Sequence, residues 1–181
     1  GTIKVFDAQS GDRLSTVRGH SASVNCVDFS PDGLTIASGS GGLFGNDNSV
    51  RVWDVKTGKQ LWQLTGHTDT VTGVCFDPTG KTIVSCSWDK TIRFWDSATG
   101  AAIGSPVRAH SYSVNSVCWN HDGTKLASGS DDSTVKIWNP ATGECLWTLS
   151  VDAGGVLGVQ SVSFSPKGDM VAAGCWNGKI Y

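Results

Sequence analysis

Residues 66–100 read GHTDTVTGVCFDPTGKTIVSCSWDKTIRFWDSATG. Three short alternating apolar runs stand in this stretch, at 71–76, 82–87 and 91–95. Turn formers separate them: Asp77-Pro78-Thr79-Gly80, then Trp88-Asp89-Lys90. Runs of this length between such turns are strands joined by hairpins. The rest of the chain is an approximate copy of the same unit.

Landmarks count the copies. His20, His67 and His110 each stand four positions before a valine, Val24, Val71 and Val114. Three tryptophan-containing runs, 50–54, 92–96 and 135–139, close the units, with Trp53, Trp95 and Trp138 spaced by 42 and 43 residues. A period of about 40–45 with Gly-His near its start and Trp-Asp at its end marks a propeller repeat. On these landmarks the chain resembles the WD-repeat family over its whole length. The resemblance implies an all-β chain of stacked four-stranded antiparallel blades.

Taken in order, residues 1–6 (GTIKVF) align with 90–95, so the chain opens on a third strand with Phe6-Asp7 in the Trp-Asp place. A fourth strand follows at 13–18, and residues 1–18 are the last two strands of a blade. Whole blades are expected at 19–64, 65–108 and 109–149, and an incomplete one at 150–181. An insertion at 41–46 interrupts the first whole blade, and Pro106 places the fourth strand of the second at a sheet edge. Four turns share one template: residues 30–33, 77–80, 120–123 and 165–168 all end in Gly, a type I turn preference.

The first strands alternate large and small. Val27, Val74, Val117 and Val162, with Phe29, Phe76, Trp119 and Phe164, fall on one face; Cys26, Gly73, Ser116 and Ser161 fall on the other. This suits innermost strands crowded around an axis, with the aromatic face buried against the next blade. A seven-bladed ring needs roughly 300 residues at this period. The 181 residues therefore read as about four blades of a larger ring, or as a unit that self-associates to close one.

Composition excludes several classes of function. A net charge of −2 gives no general attraction to nucleic acid or to an anionic membrane. No apolar run approaches the ~18–20 residues of a spanning helix. The six cysteines, placed singly within strands, read as buried reduced thiols and point to an intracellular compartment, cytoplasmic or nuclear. No Cys-x-x-Cys or His-x-x-x-His spacing offers a metal site, no phosphate-binding glycine loop occurs, and no cofactor is expected. Lys4, Arg51, Arg93 and Lys136 recur two before the aromatic of each third strand. They read as amphipathic side chains lying along the sheets rather than as a phosphate-binding ring.

His67, Ser85, Asp89 and Trp95 contain the residue types of an acyl-transfer triad. The same set recurs as His20, Ser38, Asp47 and Trp53, and again as His110, Ser128, Asp132 and Trp138. An active site is needed once, not three times at one period. The family resemblance implies a structural hydrogen-bond network at each set. In the last unit Asn177 and Ala173 replace the Asp and Ser, and no Gly-His precedes them, so that network is expected to be missing.

One loop face gathers Trp88, Tyr112, Trp176 and, in the insertion, Phe44. Exposed aromatics of this kind anchor protein interfaces. The reading is a non-enzymatic scaffold that binds other proteins or peptides through this face. Two alternatives stay open: a sensor or autoinhibitory domain of a larger signalling protein such as an NTPase, and a Ser/His/Asp hydrolase.

Overall fold

The structure, a computed structural model, describes residues 1–42, 47–152 and 158–181. Among them there are sixteen strands and no helix. Sheet I pairs β1 (Thr2–Phe6) with β2 (Arg13–Arg18). Sheet II runs β3 (Val24–Phe29), β4 (Thr35–Ser40), β5 (Val50–Asp54) and β6 (Gln60–Leu64) in order. Sheet III is β7 (Val71–Phe76), β8 (Thr82–Ser87), β9 (Thr91–Asp96) and β10 (Ala102–Arg108). Sheet IV is β11 (Val114–Trp119), β12 (Leu126–Ser130), β13 (Thr134–Asn139) and β14 (Glu144–Ser150). Sheet V pairs β15 (Val159–Phe164) with β16 (Val171–Cys175), and Ile180 adds a single bridge to Gly174. Every pairing is antiparallel and every sheet is a meander. The all-β reading and the blade-like sheets of the sequence are what the chain forms, as a series not closed into a ring.

The hairpins follow from their turns. Gly33, Gly80, Gly123 and Gly168 take positive φ between 72° and 74°, where a side chain is strained. Each donates its N–H back to the carbonyl of the turn's first residue, Ser30, Asp77, Asn120 or Ser165.

The core lies between sheets. Val74, Phe76 and Ile83 of sheet III pack on Ala37, Val50, Val52 and Leu64 of sheet II. Val117, Leu126 and Trp138 of sheet IV pack on Val84, Cys86 and Ile92 of sheet III, and Val159 and Val162 of sheet V on Ala127, Val135 and Ile137. The aromatic face of each first strand thus meets the preceding sheet, not the next one as the alternation alone implied. Val27 and Phe29 show the consequence. They are 53% and 49% exposed, whereas Val74 and Phe76 are each 7% exposed. The preceding sheet I has only β1 and β2, which cover Ile36 and Trp53 of sheet II through Ile3, Val5 and Val17 and do not bury β3.

Close approach between sheets sets a rule for small residues. Cys26 pairs with Gly39, Gly73 with Cys86, Ser116 with Gly129 and Ser161 with Gly174 across the first two strands of sheets II to V. One member is glycine each time. A Cβ on Gly39 would lie 2.5 Å from Val71 Cγ1 of the next sheet, and one on Gly129 would lie 2.5 Å from Val159 Cγ1. Neither spacing fits a methyl group.

Every first strand also carries a bulge near its start, between Val24 and Cys26, Val71 and Gly73, Val114 and Ser116, and Val159 and Ser161. A bulge adds one unpaired residue and re-aims its side chain. The residues so placed are Asn25, Thr72, Asn115 and Gln160. Asn25 Nδ2 donates to Val71 O at 3.1 Å, Thr72 Oγ1 to Val114 O at 2.6 Å, and Asn115 Nδ2 to Val159 O at 2.9 Å. Each bond ties one sheet to the next.

Candidate functional site

The three polar sets assemble in the same way. His67 Nδ1 lies 2.8 Å from Asp89 Oδ2, His67 Nε2 lies 2.8 Å from Ser85 Oγ, and Trp95 Nε1 lies 2.9 Å from the same Oγ. Around His20 the corresponding separations are 2.9, 2.8 and 2.8 Å, to Asp47, to Ser38, and from Trp53 to Ser38. Around His110 they are 2.9, 2.7 and 2.9 Å, to Asp132, to Ser128, and from Trp138 to Ser128.

The proton positions follow from the acceptors. A carboxylate only accepts, so His Nδ1–H donates to it; Nε2 then accepts from the serine O–H, which in turn accepts from the indole N–H. Asp89 Oδ1 takes further bonds from the Thr91 hydroxyl and amide, and Oδ2 from the Thr68 amide. Burial by itself raises the Asp89 pKa, but the bonds from His67 and Thr91 overcome it and hold the carboxyl well below its usual range. Asp132 is held low against the same burial by His110 and Thr134. Asp47 is lowered by Ser49, the Ser21 amide and His20, again against burial. Burial depresses the His20 pKa more than its bond to Asp47 raises it.

This order of hydrogen bonds matches an acyl-transfer triad, but access does not. Ser38, Ser85 and Ser128 have no exposed surface. A nucleophile must reach a substrate carbonyl, and these oxygens are enclosed and shared with an indole N–H. What the arrangement does is satisfy buried polar groups while fixing a loop to a sheet.

In the last unit Ala173 occupies the serine position, 3% exposed. Asn177 Nδ2 donates to Asp152 O at 2.7 Å, Lys179 Nζ pairs with the Asp152 carboxylate at 3.1 Å, and the Tyr181 hydroxyl donates to Asp152 O at 2.5 Å. A surface cluster centred on Asp152 stands where the buried set is missing.

The basic side chains lie against the same loops. Arg51 Nη2 is 3.3 Å from Asp47, and Lys136 Nζ donates to Ala109 O at 2.8 Å while lying over the Trp138 ring. A Cβ on Gly66 would meet Arg93 Nη1 at 2.5 Å. Glycine precedes the histidine where the third strand carries arginine, and alanine (Ala109) where it carries the slimmer lysine.

Of the aromatics expected on one face, Trp88 and Trp176, 37% and 57% exposed, line a common groove of about 410 Å³. Tyr112 is exposed but outside the groove lining, with Lys90 Nζ 5.5 Å from its ring centre. Phe44 lies outside the described residues. The same groove takes Asn25, Thr72, Asn115 and Gln160 from the bulges, and Asp131. None of these five was singled out from sequence. Strict alternation hides a bulge; the signal for it was the spacing of three between Val71 and Val74, an odd step in a period-two strand.

Among the described residues no group of three or more His, Cys, Asp or Glu is placed to hold a metal ion, and no helix is long and apolar enough to cross a membrane. All six cysteines are free; Cys145 is exposed, contrary to the expectation of six buried thiols.

A family model described as WD domain, G-beta repeat matches residues 11–54, 58–96, 103–139 and 143–181. Each match starts on the outer strand of one sheet and continues through the inner strands of the next, so successive sheets share covalent repeats. No curated protein matches the chain.

Proposed function

The chain belongs to the WD-repeat family, and from that premise we propose that it is a non-enzymatic scaffold that binds other proteins or peptides through its loop face. WD repeats build domains of the protein-interaction kind. The observation that carries the reading for this chain is the pair of exposed indoles, Trp88 and Trp176, lining one groove beside buried polar networks. Networks that pin His67 and His110 to sheets III and IV hold the neighbouring turns, so a partner meets a preorganised surface and little ordering entropy is lost on binding. Tyr112 and Phe44 complete the proposed set of partner anchors, and the blades proposed to display them are residues 19–64, 65–108, 109–149 and 150–181. The six unpaired thiols support an intracellular, reducing setting.

The test is affinity capture with the full chain as bait, comparing wild type with a Trp88→Ala/Trp176→Ala variant. Loss of captured partners with unchanged circular dichroism and melting is expected. Equal capture by both forms overturns the assignment of the face.

A further inference from the structure

Four positions that immediately precede or open the second-to-third-strand turn are equivalent in register. Gly41, Trp88, Asp131 and Trp176 follow Ser40, Ser87, Ser130 and Cys175, which pair with Val24, Val71, Val114 and Val159. All four line the one groove. Successive sheets therefore place glycine, indole, carboxylate and indole side by side along its rim. The bulged residues Asn25, Thr72, Asn115 and Gln160 line the same groove as a second, uncharged row.

Asp131 is the only formally charged residue of the described lining. Its Oδ1 accepts from Asn115 Nδ2 at 2.6 Å, and that Asn115 nitrogen also bonds Val159 O. The carboxylate is thereby held in position between the sheets that carry the two indoles, and among the described residues no lysine or arginine forms an ion pair with it. The indole face is the strongest aromatic partner for a cation, and a neighbouring carboxylate adds direct charge attraction. At position 41 a Cβ would lie 2.6 Å from Thr70 Cα, so the fourth rim position carries no side chain.

We propose that this groove receives a cationic side chain, arginine or lysine, presented by an extended segment of the protein partner. The proposal rests on the scaffold reading and specifies what its loop face recognises. The two indoles supply area and cation–π attraction, Asp131 supplies the counter-charge, and the side-chain amides of Asn25, Asn115 and Gln160 offer hydrogen bonds to the partner's backbone. A groove of about 410 Å³ has room for one long side chain with part of its flanking main chain.

The experiment follows the indole N–H signals of the full chain by nuclear magnetic resonance. Trp88→Ala and Trp176→Ala variants assign the two signals. The titrants are the capped peptide Gly-Ser-Arg-Ser-Gly and its citrulline counterpart, which keeps the shape and removes the charge. The arginine peptide is expected to shift both signals, with the citrulline peptide weaker by about tenfold or more. Asp131→Asn, which retains an oxygen for Asn115, is expected to narrow the difference to the part the indoles supply, without changing melting. Equal binding of the two peptides, or no shift with either, overturns the proposal on wild type alone. If capture of partners depends on Trp88 and Trp176 but is unaffected by Asp131→Asn, the cation pocket falls and the scaffold reading stands.

Discussion

Gly73 and Cys86 face each other across β7 and β8 with the size order of every other sheet reversed. In sheets II, IV and V the larger residue of the pair is on the first strand and glycine is on the second; here the thiol is on the second strand and glycine on the first. A Cβ on Gly73 would lie 2.8 Å from Cys86 Sγ and 3.4 Å from Val117 Cγ1. The space between sheets III and IV holds one side chain at this level.

Gly73→Ala alone is therefore expected to destabilise by about 1–3 kcal/mol through overpacking. In a Cys86→Gly background the same change should cost markedly less, because the obstructing sulfur is gone. Urea denaturation of the four forms of this double-mutant cycle gives the coupling. Additive effects would show that the two positions do not share a space.

Ser85 carries the heaviest load in its network, since it serves both His67 and Trp95. Ser85→Ala leaves an indole N–H and an imidazole nitrogen unpaired in a fully buried place. Each orphaned group costs about 1–3 kcal/mol, so a loss of about 2–6 kcal/mol is expected by chemical denaturation. Ser165→Ala, at an exposed turn, should cost less than half as much.

Much of this organisation was legible because one period fixes so many things at once. The recurrence of His67, Ser85, Asp89 and Trp95 at the same offsets marked residues that the fold brings within 3 Å of one another. Three features were not legible. Val27 and Phe29 carry the same pattern as Val74 and Phe76, yet their burial depends on which strands of the neighbouring sheet are present. The bulges shift the first residues of each inner strand out of alternation, so Thr72 and Asn115 were not read as inter-sheet ties. Asp131 shares neither shape nor charge with Trp88 and Trp176, so only the strand register aligns it with them.

Thiol chemistry separates the cysteines by position. Cys145 is exposed on the outer strand β14, whereas burial pushes the Cys86 thiol up to about 12 and the Cys118 thiol up to about 11. Only a thiolate attacks a disulfide reagent. One thiol, lost on Cys145→Ser, should react rapidly with an aromatic disulfide, and Cys86 and Cys118 only on unfolding. Fast reaction of Cys86 in the native chain would mean that sheets III and IV part readily.

Acid stability combines groups of opposite sign. Asp47, Asp89 and Asp132 have folded pKa values below that of a free carboxyl, so the folded chain binds fewer protons there than the unfolded one. Their contribution is complete above the unfolded value of about 3.9 and is lost as pH falls through the folded values. His20, depressed mainly by burial, acts in the same direction from about pH 6.5 downward, because protonating it favours the unfolded chain. Asp28 opposes them. Burial raises its pKa despite the bond it accepts from the Phe76 amide at 2.8 Å, so its ionisation weakens the fold as pH rises above the unfolded value. Asp28→Asn keeps an acceptor for that amide and removes the charge. Its stability relative to wild type should therefore be higher at pH 7 than at pH 3.5, whereas Asp89→Asn should lose stability at pH 7 and progressively less toward pH 2. Melting temperatures of the three proteins across this range test both signs, and parallel curves for wild type and Asp28→Asn would rule out a desolvated carboxylate between sheets II and III.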